Sequence, residues 1–142
     1  GLVGLVVGVF ILIFMQAGLR EAHTYNKLSD TLYSITLDGL TPEDTKPAKR
    51  RYIECPEFET NCFQVKRRFS AQAYDFSGIF QQLSAQGCRD GMYYYRTEET
   101  ENDFVRARYY CRIGENYLVA RLLSDKTLAD VVELEISKKA IK

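Results

Sequence analysis

Residues 1–19 read GLVGLVVGVFILIFMQAGL, and the first charged side chain of the sequence is Arg20. As a helix rising about 1.5 Å per residue, this run is roughly 28 Å long, close to the ~30 Å hydrocarbon core of a bilayer. Such a stretch has no polar face to turn to water, so it limits the whole chain to folds in which an apolar rod is covered or removed. The rival reading is a cleaved signal peptide, for which Met15-Gln16-Ala17 supplies a weak small-residue site. The run is longer than a usual signal core and no basic leader comes before it, so a retained transmembrane helix is expected. Gly4 and Gly8 form a GxxxG step, a helix-packing spacing that admits close approach of a second helix, although glycine is common in membrane spans generally.

The helix is expected to continue past the membrane. Residues 20–37 contain neither proline nor glycine, and they repeat apolar side chains at Tyr25, Leu28, Leu32 and Ile35, with Glu21, Lys27 and Asp30 between them. Steps of three and four place this stripe on one face. One helix over residues 1–37, on the order of 54 Å long, is predicted, apolar all round in its first half and amphipathic in its second. Asp38-Gly39 would stop it and Pro42 would keep it stopped.

Residues 38–51 are polar, contain Pro42 and Pro47, and end on Lys49, Arg50 and Arg51, so they read as a connecting loop. The basic cluster reads as solvated, with a contact to phosphate or an acidic partner as its functional alternative. Beyond the span lie about 120 residues, enough for one small domain over residues 52–142. Basic and acidic residues balance at 19 each, so any preference for an anionic partner must be local.

Cys55, Cys62, Cys88 and Cys111 all follow the span. An even set in a domain with a modest core reads as two disulfides formed in an oxidising compartment, which makes the head periplasmic or extracellular. His23 is the only histidine and no CxxC occurs, so neither a metal site nor a cofactor is expected.

Within the head, Cys62 to Val65 alternate as a strand ending at Lys66, Arg67 and Arg68. Phe76, Ile79, Phe80 and Leu83 have helical spacing, which predicts a helix over residues 70–86, capped by Ser70 or Asp75, ended by Gly87 and covering a sheet. Residues 92–97, 105–113 and 117–123 read as an antiparallel meander. A fourth strand follows, where Val132, Leu134 and Ile136 alternate with Glu133 and Glu135 on a wet face, before an exposed tail. Centring the first hairpin on its turn sets Tyr93 opposite Tyr109 and Tyr95 opposite Ala107, with Cys111 near Cys88. Of the three possible pairings, Cys55–Cys62 with Cys88–Cys111 fits this register best. The fold class is therefore α+β: a long N-terminal helix, a small antiparallel sheet, one covering helix and two disulfides.

Alternation places Val105, Ala107, Tyr109, Cys111 and Ile113 on one face of their strand and Arg106, Arg108, Tyr110 and Arg112 on the other, joined by Met92, Tyr94 and Arg96. An arginine and tyrosine surface suits a partner-binding platform for nucleic-acid phosphate, acidic glycan or an acidic neighbouring subunit. Its bland counterpart is a sheet face whose arginines pair with Glu133 or Glu135. Glu98, Glu99, Glu101 and Asp103 crowd one turn without a calcium-loop pattern and read as a solvated tip. His23 reads as an interfacial polar residue. With no nucleophile beside a base and no phosphate-binding glycine loop, catalysis is not expected.

In layout the chain resembles the type IV pilin superfamily of major pilins, minor pilins and secretion-system pseudopilins. The shared features are the apolar residues 1–19 running into amphipathic residues 20–37, a connecting segment, an antiparallel sheet, and the cysteines Cys88 and Cys111 towards the C-terminal half. The family's glutamate near the mature N-terminus has no counterpart before Glu21. The resemblance implies a structural subunit that is anchored in the membrane before assembly and packed through its apolar helix in a filament. The alternative expectation is a single-pass accessory subunit of a larger secretion, motor or respiratory complex. Either way the expected partners are protein subunits and membrane lipid, ahead of nucleic acid.

Overall fold

The structure, a computed structural model, describes residues 1–51, 64–71, 76–100, 103–125 and 130–141. Helix α1 (Leu2–Ser34) is long and apolar enough to cross a membrane. Its two halves have different surroundings. The large side chains from Leu2 to Leu19 are exposed, whereas Ala22, Leu28, Ser29 and Leu32 are buried. The stripe read from the sequence, Tyr25, Leu28, Leu32 and Ile35, is the one that enters the core.

Helix α1 ends at Ser34, short of Leu37, with Ile35 already extended at φ -73 and ψ 127. In the last turns Thr31 Oγ1 donates to the Lys27 carbonyl and Ser34 Oγ to the Thr31 carbonyl, which competes with helix propagation. Beyond them the backbone finds partners elsewhere: the Thr36 N–H donates to Gln86 Oε1 at 2.8 Å and the Asp38 N–H to Gln82 Oε1 at 2.7 Å. The stop is set by tertiary contacts, and Gly39, at φ +81, serves the following turn.

Residues 38–51 are more than a loop. Strand β1 (Thr41–Pro42) pairs antiparallel with β2 (Gln64–Ala71), and Pro42 is tolerated because β1 is an edge strand. The chain then turns back along α1. Lys46 Nζ meets Asp30 at 2.5 Å, and Asn26 brackets the Arg50 backbone, accepting from its N–H at 2.9 Å and donating to its carbonyl at 2.7 Å.

The remaining elements are α2 (Phe76–Ala85), β3 (Cys88–Tyr94), β4 (Glu98–Glu99), β5 (Asp103–Ile113), β6 (Asn116–Asp125) and β7 (Asp130–Ser137). Among the described residues they complete a 7-stranded sheet in the order β1-β2-β7-β6-β5-β3, with β4 paired to β5 and every pairing antiparallel. Ser70 is a strand residue opposite Val131, so it is not the cap of α2; Asp75 lies outside the described residues. At its far end α2 stops as expected, with Gly87 at φ +100 donating to the Ser84 carbonyl.

One face of the sheet carries Phe69, Val132, Leu134, Ile136, Leu118, Ala120, Ala107 and Tyr109, covered by Leu28 and Leu32 of α1, by Ile35 just beyond it and by Ile79 and Leu83 of α2. Phe80 of α2 stacks on Tyr109, ring centroids 4.3 Å apart. Among the described residues one disulfide is present, Cys88–Cys111, with Cα atoms 5.6 Å apart. Cys55 and Cys62 lie outside the described residues.

Two irregularities set the faces. The β3–β5 register shifts between Arg89 and Met92, where Asp90 has φ 56, and a side chain at Gly91 would run into the ring of Tyr109. The β5–β6 register shifts between Val105 and Ala107. That bulge corrects the simple alternation: Val105 leaves the helix-covered face and joins Leu123 and Val131 in a separate apolar cluster.

Candidate docking face of the sheet

The face turned away from the helices is built by register. Lys66 lies opposite Glu135 and Arg68 opposite Glu133; on the other side of β7, Val119 lies opposite Glu135 and Arg121 opposite Glu133. Farther across, Arg108 faces Arg121, Tyr110 faces Val119 and Arg112 faces Tyr117, while Met92 and Tyr94 of β3 face Tyr110 and Arg108. The expected grouping of Arg108, Tyr110 and Arg112 with Met92 and Tyr94 is therefore present. Arg106 stands apart at the bulge, its guanidinium 3.9 Å from Asp130.

The wet face predicted for β7 is not there. Glu133 and Glu135 are 7% and 4% exposed. β7 lies between β2 and β6, so basic side chains from both neighbours close over its carboxylates. Arg121 Nη1 donates to Glu133 at 3.3 Å and to Glu135 at 2.5 Å, and Arg68 Nε donates to Glu133 at 3.0 Å. Arg121 was not singled out in the sequence, although a lone arginine between Ala120 and Leu122 in an apolar strand was a usable signal of an internal partner.

Arg108 is also matched, by Glu98 at 2.7 Å, and β4 pairs with β5, while Glu98 and Glu99 remain exposed as the solvated-tip reading expects. Arg112 lies over the Tyr117 ring at 4.9 Å, and its buried Nε has no hydrogen-bond partner. Tyr94 meets Tyr110 edge to face at 5.7 Å. Between these rings, Arg96, Arg108 and the half-buried Ile141 lies an open cleft of about 430 Å³. The tail is thus not wholly solvated: Lys138, Lys139 and Ala140 are exposed, while Ile141 lies over the sheet. With Arg108 already facing a carboxylate, Arg96 is the exposed arginine lining this cleft that is placed for an incoming acidic or aromatic group.

The other candidate positions are dispersed. Gly4 and Gly8 lie on the uncovered half of α1, and a side-chain carbon added at either meets nothing within 4 Å. His23 is exposed on α1. Among the described residues no group of three His, Cys, Asp or Glu side chains gathers as a metal site. Compared with models of known families, with characterised proteins and with solved structures, the chain matches none.

Proposed function

We propose that the chain is a membrane-anchored, non-enzymatic structural subunit that assembles through residues 2–19, as a pilin-like filament subunit does. One observation carries this reading: α1 completes the core with its second half while its first half, from Leu2 at 79% to Leu19 at 54% exposure, leaves the domain uncovered. Leaving a large apolar side chain in water forgoes about 1.5–3 kcal/mol, so a run of this length must be covered by lipid, by other helices or by each in turn. Membrane insertion before assembly and helix packing afterwards satisfy both requirements. The Cys88–Cys111 disulfide supports an oxidising compartment for the head, outside the cytoplasm.

A second reading, an accessory subunit of a larger membrane complex, is favoured by the arginine and tyrosine cleft on the uncovered sheet face. Imaging of the natively expressed protein by electron microscopy, with mass spectrometry of all copurifying chains, separates the two. Filaments containing this chain are the expected result. A discrete particle of unlike subunits would replace the filament reading with the accessory one.

A further inference from the structure

The docked segment after β1 places a second set of charges beside the membrane-length helix. Chain direction and spacing fix where they fall: Lys46 pairs with Asp30 and Arg50 is bracketed by Asn26, so the segment descends α1 towards its apolar half, about one helix residue for each of its own. The Arg50 guanidinium lies over the Tyr25 ring at 4.4 Å, a further hold on the same place. Asn26 is seven residues beyond Leu19, or about 10 Å along the axis. Lys49, Arg50 and Arg51 are all exposed there. On α1 itself Arg20, His23 and Lys27 are exposed and share one face through steps of three and four. Among the described residues of this stretch of α1, Asp30 is already paired with Lys46, and the half-buried Glu21 lies on another side of the helix.

A chain whose total charge is balanced thus concentrates cations at the level where an inserted α1 leaves the hydrocarbon. We infer that Arg20, Lys27, Lys49, Arg50 and Arg51 form a collar that binds the phosphates of anionic phospholipid headgroups. The inference rests on the membrane-anchored reading. Charge complementarity chooses the occupant: long cationic side chains, rooted close to the bilayer surface, extend to a layer of fixed phosphates. Asn26 gives the site its shape, because it holds the connecting segment against the helix through the backbone and leaves the side chains of Lys49 and Arg51 unengaged by that contact.

The test uses the full chain in lipid nanodiscs, with phosphatidylcholine alone or mixed with phosphatidylglycerol, and reads the enrichment of each lipid around the protein by native mass spectrometry. Enrichment of phosphatidylglycerol at low salt is expected, and Lys49→Gln with Arg51→Gln should reduce it about fivefold per residue replaced. High salt should reduce it as well. Asn26→Ala, which removes no charge, should weaken the enrichment by releasing the segment. Equal enrichment of both lipids, or a preference that none of these variants changes, would overturn the collar. Competition by millimolar glycerol phosphate in solution would instead show a site for free phosphate and also overturn it. Flotation with uncharged vesicles reads the anchor separately: failure to float sinks the membrane reading itself, whereas flotation without lipid preference sinks the collar alone.

Discussion

Arg121, 14% exposed along its side chain, holds Glu133 and Glu135 in a part of the sheet where neither carboxylate reaches much water. Removing one member of such a group leaves charge buried without its partner, which costs about 3–5 kcal/mol, more than the group contributes compared with an apolar replacement. Arg121→Met should therefore lower the unfolding free energy by about 3 kcal/mol in urea titrations. Adding Glu133→Gln and Glu135→Gln should return part of the loss. Tyr33 supplies a pH-dependent case. Burial raises its phenol above the usual value first, the charge and hydrogen bond of Asp44 raise it further, and Arg67 opposes. A folded pKa above the unfolded one means that the stabilisation is complete below about pH 10 and is lost as pH rises through the folded value. Ultraviolet titration should find Tyr33 ionising after ordinary tyrosines, with Asp44→Asn bringing it back down. Asp30, although exposed, is shifted the other way, held below its usual range by the hydrogen bond from Lys46, with some loss of hydration opposing and the charges of Lys46 and Lys49 adding. The sign reverses accordingly: any stabilisation from that contact is lost only as pH falls into the acid range.

At the scale of elements, α1 shows how little a helix end depends on its own sequence. Residues 35–37 are apolar or β-branched and lack a breaker, yet the chain leaves the helix because better partners exist nearby. Arg67, from β2, donates to the Ile35 carbonyl at 2.9 Å and the Tyr33 carbonyl at 3.4 Å, satisfying groups left open by the last turn and placing a cation at the negative end of the helix dipole. Its guanidinium also covers the rings of Tyr33 and Phe69 at 4.7 and 4.5 Å. Arg67→Met keeps much of the apolar contact and removes the donors. It should cost about 2 kcal/mol, in the range for hydrogen bonds to a charged group, and increase amide exchange in residues 33–37. Gln86 acts in parallel from the end of α2, accepting from the Thr36 N–H and donating to the Thr36 carbonyl at 2.7 Å.

For the whole molecule, the buried hydrophobic core begins at Ala22 among the described residues, and the large side chains of the first half of α1 stay outside it. A chain beginning at Arg20 should fold without detergent, with the circular dichroism and melting temperature of the detergent-solubilised full chain to within a few degrees. Aggregation or loss of structure would show that the apolar half supports the domain as well as projecting from it. Local periodicity was enough to find the parts of this architecture that repeat along the chain. Residues 1–19 announce themselves by lacking charge, Tyr25, Leu28, Leu32 and Ile35 by helical spacing, and the pairing of Tyr93 with Tyr109 by the symmetry of a hairpin around its turn. Cys88 and Cys111 were legible for the same reason, since a hairpin register brings them together without knowledge of the rest of the sheet. What followed from long-range pairing was not legible. Alternation marked Glu133 and Glu135 as one face of a strand, but only the placement of β7 between β2 and β6 made that face interior and assigned Arg68 and Arg121 to it. The same holds for the bulge that separates Arg106 from Arg108 and for the return of Arg50 to Asn26. The sequence by itself determined which residues avoid water and with what period; the tertiary structure decided which charges meet, because burial and pairing depend on neighbours tens of residues away along the chain.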